Sequence, residues 1–332
     1  MPTRNPKLTL KGGTVIQNIG DVHLDKKFVT GVPLENRGIF ESKVKERFRS
    51  LLRTSADVVV QVGDIFDKFY VDNAAVLFAA KQIIQVAGQN PNTEYVIIRG
   101  NHDASKDRTR VSSFDVLFNI VDAAELPNLT IVMDDPVSLR TAKGDLIGFV
   151  GYSAKFSAKE LVAKLDQKPH TVIYGHWDLD LPSDAPTHNL IPVEDLEKLT
   201  DTIVVGHTHK PVERKMGKLL VTVTGSMFPY AHGEEIEGDD LFYTLKVSEY
   251  DPKKHEGKFI RFIMEADEVL PEGDFLQVRT IPVSSKEEED STKTPTTTFN
   301  LEDVLKTFLE DNDLDDKMIA NIIERFKAQN VD

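Results

Sequence analysis

The chain has 332 residues, 40% hydrophobic and 28% charged, with no cysteine and a formal net charge of −14. Without cysteine, disulfides, thiolate metal sites and cysteine nucleophiles are excluded, so any metal must sit among His, Asp, Glu and Asn. The acidity argues against coating nucleic acid by bulk charge. No run approaches the ~18 apolar residues of a membrane helix, and the start lacks the apolar stretch of a signal peptide, so a cytoplasmic protein is expected.

In chain order, short β-branched runs predict strands over 14–20, 57–62, 94–99, 129–133, 146–151, 171–174 and 202–205. Helical spacing over 37–52, 73–86, 112–124 and 158–165 places helices between them. Several strands are apolar on both faces, as in a layered α/β domain. From about residue 212 strands take over, at 219–224, 241–249, 259–266 and 275–283, and 284–298 (SSKEEEDSTKTPTTT) reads as a linker. Beyond it, Leu301, Val304, Leu305, Phe308 and Leu309 form one amphipathic stripe behind Asn300, and Ile319, Ile322, Ile323 and Phe326 form another. Residues 284–332 hold 13 Asp/Glu against 6 Lys/Arg, half of the net charge.

Five strands end in the same way: IGDVH (19–23), VGDIFD (62–67), IRGNHD (98–103), YGHWD (174–178) and VGHTH (205–209). A lone Gly-His at a strand end is more often a turn or a hydrogen-bonded histidine. Five glycine-hinged ends in one span are hard to explain as separate turns, because the loops of a layered α/β fold gather at one sheet edge. The oxygen and imidazole donors they offer suit Mn²⁺, Fe²⁺ or Zn²⁺.

The set D-X-H, G-D-X-X-D, G-N-H-D, G-H and G-H-X-H, over about residues 14–250, resembles the calcineurin-like metallophosphoesterase superfamily. The resemblance implies a four-layered α/β/β/α sandwich with a dinuclear metal site at the strand ends. Carried onto this chain, Asp21, His23, Asp64 and His209 would hold one ion; Asp64, Asn101, His176 and His207 would hold the other, with Asp64 bridging. Two divalent ions, Mn²⁺ by preference, would grip a phosphodiester and activate water. His102 would contact phosphate and protonate the leaving oxygen, and Asp103 or Asp67 would orient it or a ligand imidazole.

Protein phosphatases of this superfamily read GDXXDRG and GNHE, whereas this chain has GDIFDK and GNHD. With TGSMFPYAHGEE (224–235), these look more like the DNA repair nucleases of the bacterial SbcD type and their phage recombination-exonuclease relatives. That resemblance implies a catalytic domain over 1–250, a short DNA-holding cap over 251–283, and docking helices over 299–332 for an SMC-like ATPase partner. It also implies a homodimer through helices near the catalytic face. The alternatives are a small-molecule phosphodiesterase acting on cyclic nucleotides or nucleotide diesters, which would not need the helical tail, and a scaffold that lost its metals. His170, His188 and His255 are expected at the surface, His232 in a structural role and Trp177 in packing. Arg99 would meet phosphate or an acidic neighbour; Arg108 and Arg110 would meet phosphate or line a solvated turn.

Overall fold

The computed structural model describes residues 3–105, 107, 110–179 and 187–282. The linker, the tail and Arg108 lie outside the described residues.

The first sheet has the order β1 (Lys7–Thr9), β2 (Val15–Ile19), β3 (Val58–Gln61), β4 (Glu94–Ile98), β5 (Leu129–Val132), parallel throughout except for the antiparallel edge strand β1. Its crossovers are the helices α1 (Ile39–Leu52), α2 (Asn73–Gln89) and α3 (Ser113–Asp122). Ser112 starts α3 by accepting the Asp115 amide while Asp115 accepts the Ser112 amide, a reciprocal capping box.

The second sheet contains β6 (Val137–Arg140), β7 (Leu146–Val150), β8 (Val172–Gly175), β9 (Thr202–Val205), β10 (Val212–Met216) and β11 (Leu219–Val223), in the order β10-β11-β9-β8-β7-β6. Its four central strands are parallel and its two edges, β6 and β10, antiparallel. The short helices α4 (Ala158–Lys164) and α5 (Val193–Leu196) cover its outer side.

Strand alternation accounts for the layering. Val58 and Val60 face inward and meet Ile147, Phe149, Val172 and Val204 of the second sheet. Val59 faces outward and packs with Phe48, Ile83 and Phe114 of the first helical layer. In the second sheet Ile173, Ile203 and Val205 face outward onto Leu161 and Leu196. The stack is therefore α/β/β/α, the fold expected from the resemblance.

A third, wholly parallel sheet joins β12 (Phe242–Lys246), β13 (Phe259–Met264) and β14 (Gln277–Pro282), with the single turn α6 (Pro252–His255) in the β12–β13 crossover. It begins before residue 250, inside the span assigned to the catalytic domain. Phe242, Phe259 and Leu276 join the core of the first helical layer, so this sheet is anchored to the body. Among the described residues, no helix is long and apolar enough to cross a membrane.

Two surface expectations are corrected. His170 and His255 are buried, at 5% and 7% exposure. His170 bonds Ser138 on the edge strand β6, which the sequence pattern did not predict and which covers it. His255 accepts the Asp251 amide and packs against Tyr243 and Tyr250.

Candidate metal centre

Parallel strands in both sheets send their C-terminal ends to one edge, and there the five motifs converge. Close approach explains their glycines. Gly63 has φ +100°, and a Cβ on it would lie 2.0 Å from His176 Nδ1. A Cβ on Gly100 would lie 2.1 Å from the Asp64 amide nitrogen. The residues after the glycines are themselves strained: His23, Asp64 and His207 adopt φ of 46°, 51° and 76°. Such left-handed backbone costs about 1–3 kcal/mol per residue and persists only where the surroundings impose it. Here they do: the Val22 and His23 amides both donate to the Asp64 carbonyl, at 2.9 and 3.0 Å. The His207 amide donates to Asp21 Oδ1 at 3.2 Å and the His102 amide to Asp64 Oδ1 at 2.9 Å.

All seven predicted ligands meet. Asp21, His23 and His209 form one group whose donor atoms lie within 4.8 Å of one another, and Asp64, His176 and His207 form a second. Asn101 Oδ1 belongs with the second group, 2.9 Å from His176 Nε2 and 2.8 Å from His207 Nδ1. His23 Nε2 faces His209 Nε2 at 3.0 Å. Since His209 Nδ1 is engaged by Glu234 Oε1 at 2.9 Å, both Nε2 atoms are left to point at a shared position. Asp21 Oδ2 is buried with no hydrogen-bond partner, an unmet demand of the kind that a cation satisfies. The donor set therefore fits two divalent cations.

The electrostatics split the ligand imidazoles, with His23 and His207 lowered but His176 and His209 raised by the surrounding carboxylates. Burial pushes His23 well below the usual imidazole value, outweighing the pull of Asp64, and burial together with His176 lowers His207. Both are thus neutral, the form that binds cations. Burial would also strip the proton from His176, but Asp64 and Asp21 outweigh it and raise this group to about 10. Burial, with Asp64 adding, raises Asp21 to about 6.

His102 sits exposed at the cluster's rim, its ring 4.9 Å from that of His23. Its Nδ1 lies 2.6 Å from the Asp67 carbonyl oxygen, which can only accept, so Nδ1 carries the hydrogen and Nε2 is left for proton exchange. It also comes within 4.8 Å of His23 and Asp64. The two expected supporting carboxylates have different tasks. The Asp67 side chain lies 3.5 Å from His23 Nδ1 and pairs with Lys26 at 3.1 Å. Among the described residues, Asp103 makes no hydrogen bond or ion pair with an imidazole. It is fully buried and accepts the amides of Gly100, Ile65 and Phe66, which ties the second motif's loop to the third. Burial and the charge of Asp64 push its carboxyl up to about 7 against these amides.

Two residues supporting the imidazoles were not anticipated: Glu234 at His209, and Asp178, whose Oδ1 is 2.8 Å from His207 Nε2. Arg4, also unanticipated, holds the His209 backbone instead, donating to its carbonyl at 2.7 Å and pairing with Asp239. Asp178 and Glu234 stand inside the quoted motifs YGHWD and TGSMFPYAHGEE, and a carboxylate near a ligand histidine was the available signal. Arg99 pairs with Asp134 and donates to the Tyr152 carbonyl, so it serves an acidic neighbour. Arg110 lies over the Phe69 ring at 4.8 Å. Trp177 is buried in the outer core, as expected from packing.

A layered α/β sandwich with a paired carboxylate–imidazole cluster at its strand ends defines a metal-dependent phosphoesterase. The chain belongs to the calcineurin-like phosphoesterase family, whose profile matches residues 16–211. No curated protein sequence matches it. Among solved structures it is similar to TT1561 of Thermus thermophilus, at 13% identity over 64% of this chain and 89% of that one, with a TM-score of 0.38. It is similar to a phosphopantetheinyl hydrolase from Mycobacterium tuberculosis, at 13% identity with the same coverage and a TM-score of 0.36. A novel archaeal phosphodiesterase matches at 16% identity over 66% of this chain and 87% of that one, with a TM-score of 0.31. Likenesses this distant say nothing about substrate.

Proposed function

We propose that this phosphoesterase is a DNA nuclease that works in a repair or recombination complex, with Mn²⁺ as its metal. The observation that carries the reading is a cationic groove beside the cluster, in a chain whose net charge is −14. A cavity of ≈ 260 Å³ is lined by Lys26, Lys27, Arg261 and Arg279 together with Tyr230, whose ring lies 5.2 Å from that of His23. A small diester needs only the metal cluster; a polyanion needs further positive surface along its path. The motifs GDIFD, GNHD and TGSMF support the same choice.

Asp21, His23, Asp64 and His209 would hold one cation, and Asp64, Asn101, His176 and His207 the other. When bound, the pair would supply an activated water and charge neutralisation at the phosphate. The chain's own work is positional. Glu234 and Asp178 fix the His209 and His207 rings, Asp67 fixes His102 through its carbonyl, and His102 Nε2 gives a proton to the leaving oxygen. The proposal extends to an SMC-like ATPase held by residues 299–332 and to a homodimer.

The test is hydrolysis with added Mn²⁺ of linear DNA, bis-p-nitrophenyl phosphate and a cyclic nucleotide. DNA degradation supports the nuclease. Turnover of the cyclic nucleotide at a far higher kcat/KM than DNA would replace it with a small-molecule phosphodiesterase.

A further inference from the structure

We infer that the C-terminal sheet carries a second phosphate-binding subsite, anchored by Arg261 and Arg279, that takes a backbone phosphate of a polynucleotide away from the bond being cut. The inference rests on the nuclease reading and extends it to named residues.

Thr244, Arg261 and Arg279 stand in register across three adjacent parallel strands, Thr244 opposite Arg261 and Arg261 opposite Arg279. Residues paired in this way project from the same face of a sheet. Two like charges placed side by side repel and destabilise the pairing unless something between them compensates. Among the described residues, no carboxylate forms an ion pair with either arginine. Arg261 Nε donates to Thr244 Oγ1 at 3.2 Å and Nη1 to the His232 carbonyl at 3.4 Å, both uncharged acceptors. Among the described residues, Arg279 makes no hydrogen bond or ion pair. Two adjacent guanidiniums with no ion pair among the described residues are a costly arrangement. Glu235, which shares the Thr244 hydroxyl with Arg261, is engaged by His232 Nδ1 at 3.2 Å, that hydroxyl at 3.1 Å and the Gly233 amide.

Both arginines line the groove that borders the metal cluster. The groove's lysines differ from the arginines in being paired, Lys26 with Asp67 at 3.1 Å and Lys27 with Asp25 at 2.5 Å. The uncompensated charge of the groove is thus concentrated on the arginine pair. A paired guanidinium row with a hydroxyl at its end matches the planar, multidentate recognition of phosphate oxygens. Phosphate contacts of this type position a strand without reading its sequence.

The test is binding of a short fluorescein-labelled single-stranded oligonucleotide to the full chain, followed by anisotropy across a salt series, with EDTA present to prevent turnover. Arg261→Gln/Arg279→Gln should bind about tenfold more weakly. Its log–log salt dependence should be shallower by about 0.7 for each phosphate that the variant no longer neutralises. Arg279→Gln alone breaks no hydrogen bond or ion pair among the described residues, so it should fold normally and show part of the same loss. Wild-type affinity and salt slope in Arg279→Gln and in the folded double variant would overturn the subsite, as would a wild-type chain that does not bind the oligonucleotide. A wild-type chain that binds through the arginine pair but never cleaves DNA with Mn²⁺ would leave the subsite standing and remove the nuclease reading.

Discussion

Glu234 and Asp178 hold different imidazoles, and removing them should weaken different metal-binding events. Glu234 Oε1 accepts from His209 Nδ1 at 2.9 Å, and Oε2 accepts the Tyr230 amide at 2.7 Å. Burial works to raise its carboxyl, but the His209 hydrogen bond and the Tyr230 amide outweigh burial and keep it ionised. A hydrogen bond to a charged group contributes about 1.5–3 kcal/mol. At about 1.4 kcal/mol per decade this is about 10–100-fold in affinity, the range typical of a missing partner behind a metal-ligating histidine. Glu234→Ala should therefore weaken one Mn²⁺ site by about 10–100-fold. Asp178→Ala should weaken the other, towards the lower end of that range, because the Asp178 and His207 side chains are 30% and 31% exposed. Calorimetric titration of Mn²⁺ into the metal-stripped chain reads both events. Asp64 would be shared by the two sites and couple them, so the second event in each variant should move less than the first but not stay fixed. Unchanged affinities in Glu234→Ala, or both variants striking the same event, would refute the assignment of these carboxylates.

Asp103→Ala leaves three loop amides without their acceptor, at about 1–3 kcal/mol for each that water does not reach; thermal melting should fall by several degrees, and an unchanged melting temperature would refute its role as a loop tie. Gly63→Ala forces a methyl into His176 at a φ of +100°, so it should cost more than the ~1–3 kcal/mol of left-handed strain alone, read as a drop in the urea midpoint. Burial lowers the proton affinity of both His170 and His255. Below about pH 6.5 the unfolded chain binds their protons first, so stability should fall as pH drops through that value and be insensitive to these groups above it. The drop in urea midpoint across that value should be smaller in His170→Asn, with His255 still contributing; a variant losing stability as steeply as the wild type would show that His170 does not contribute.

The metal loops were legible because each announces itself locally: an apolar run, a glycine, then a donor residue. Their glycines are required by the close approach of one loop to another, Gly63 against His176 and Gly100 against Asp64, so the pattern records tertiary structure in a short stretch of sequence. Glu234 and Asp178 were harder to find because a side-chain partner across two loops leaves no period. The layering followed from the resemblance, while the proof lies in register, with Val58 and Val60 on one face and Val59 on the other. Edge strands escaped notice: β10, VERKM, carries three consecutive charges between its two apolar ends, and β1 and β6 contain few apolar residues. Missing β6 removed the cover over His170 and made that residue look exposed. The C-terminal strands were visible individually, but their parallel pairing, and with it the Arg261–Arg279 row, was not.

The most direct test of the central claim is degradation of linear DNA by the metal-stripped chain before and after Mn²⁺ is restored, run beside His102→Ala with metal content measured in both. The account predicts no cleavage without metal, recovery in the wild type, and two bound ions in the variant with kcat lower by about 10²–10⁴-fold. Cleavage in the absence of metal, or a fully active His102→Ala, would contradict it.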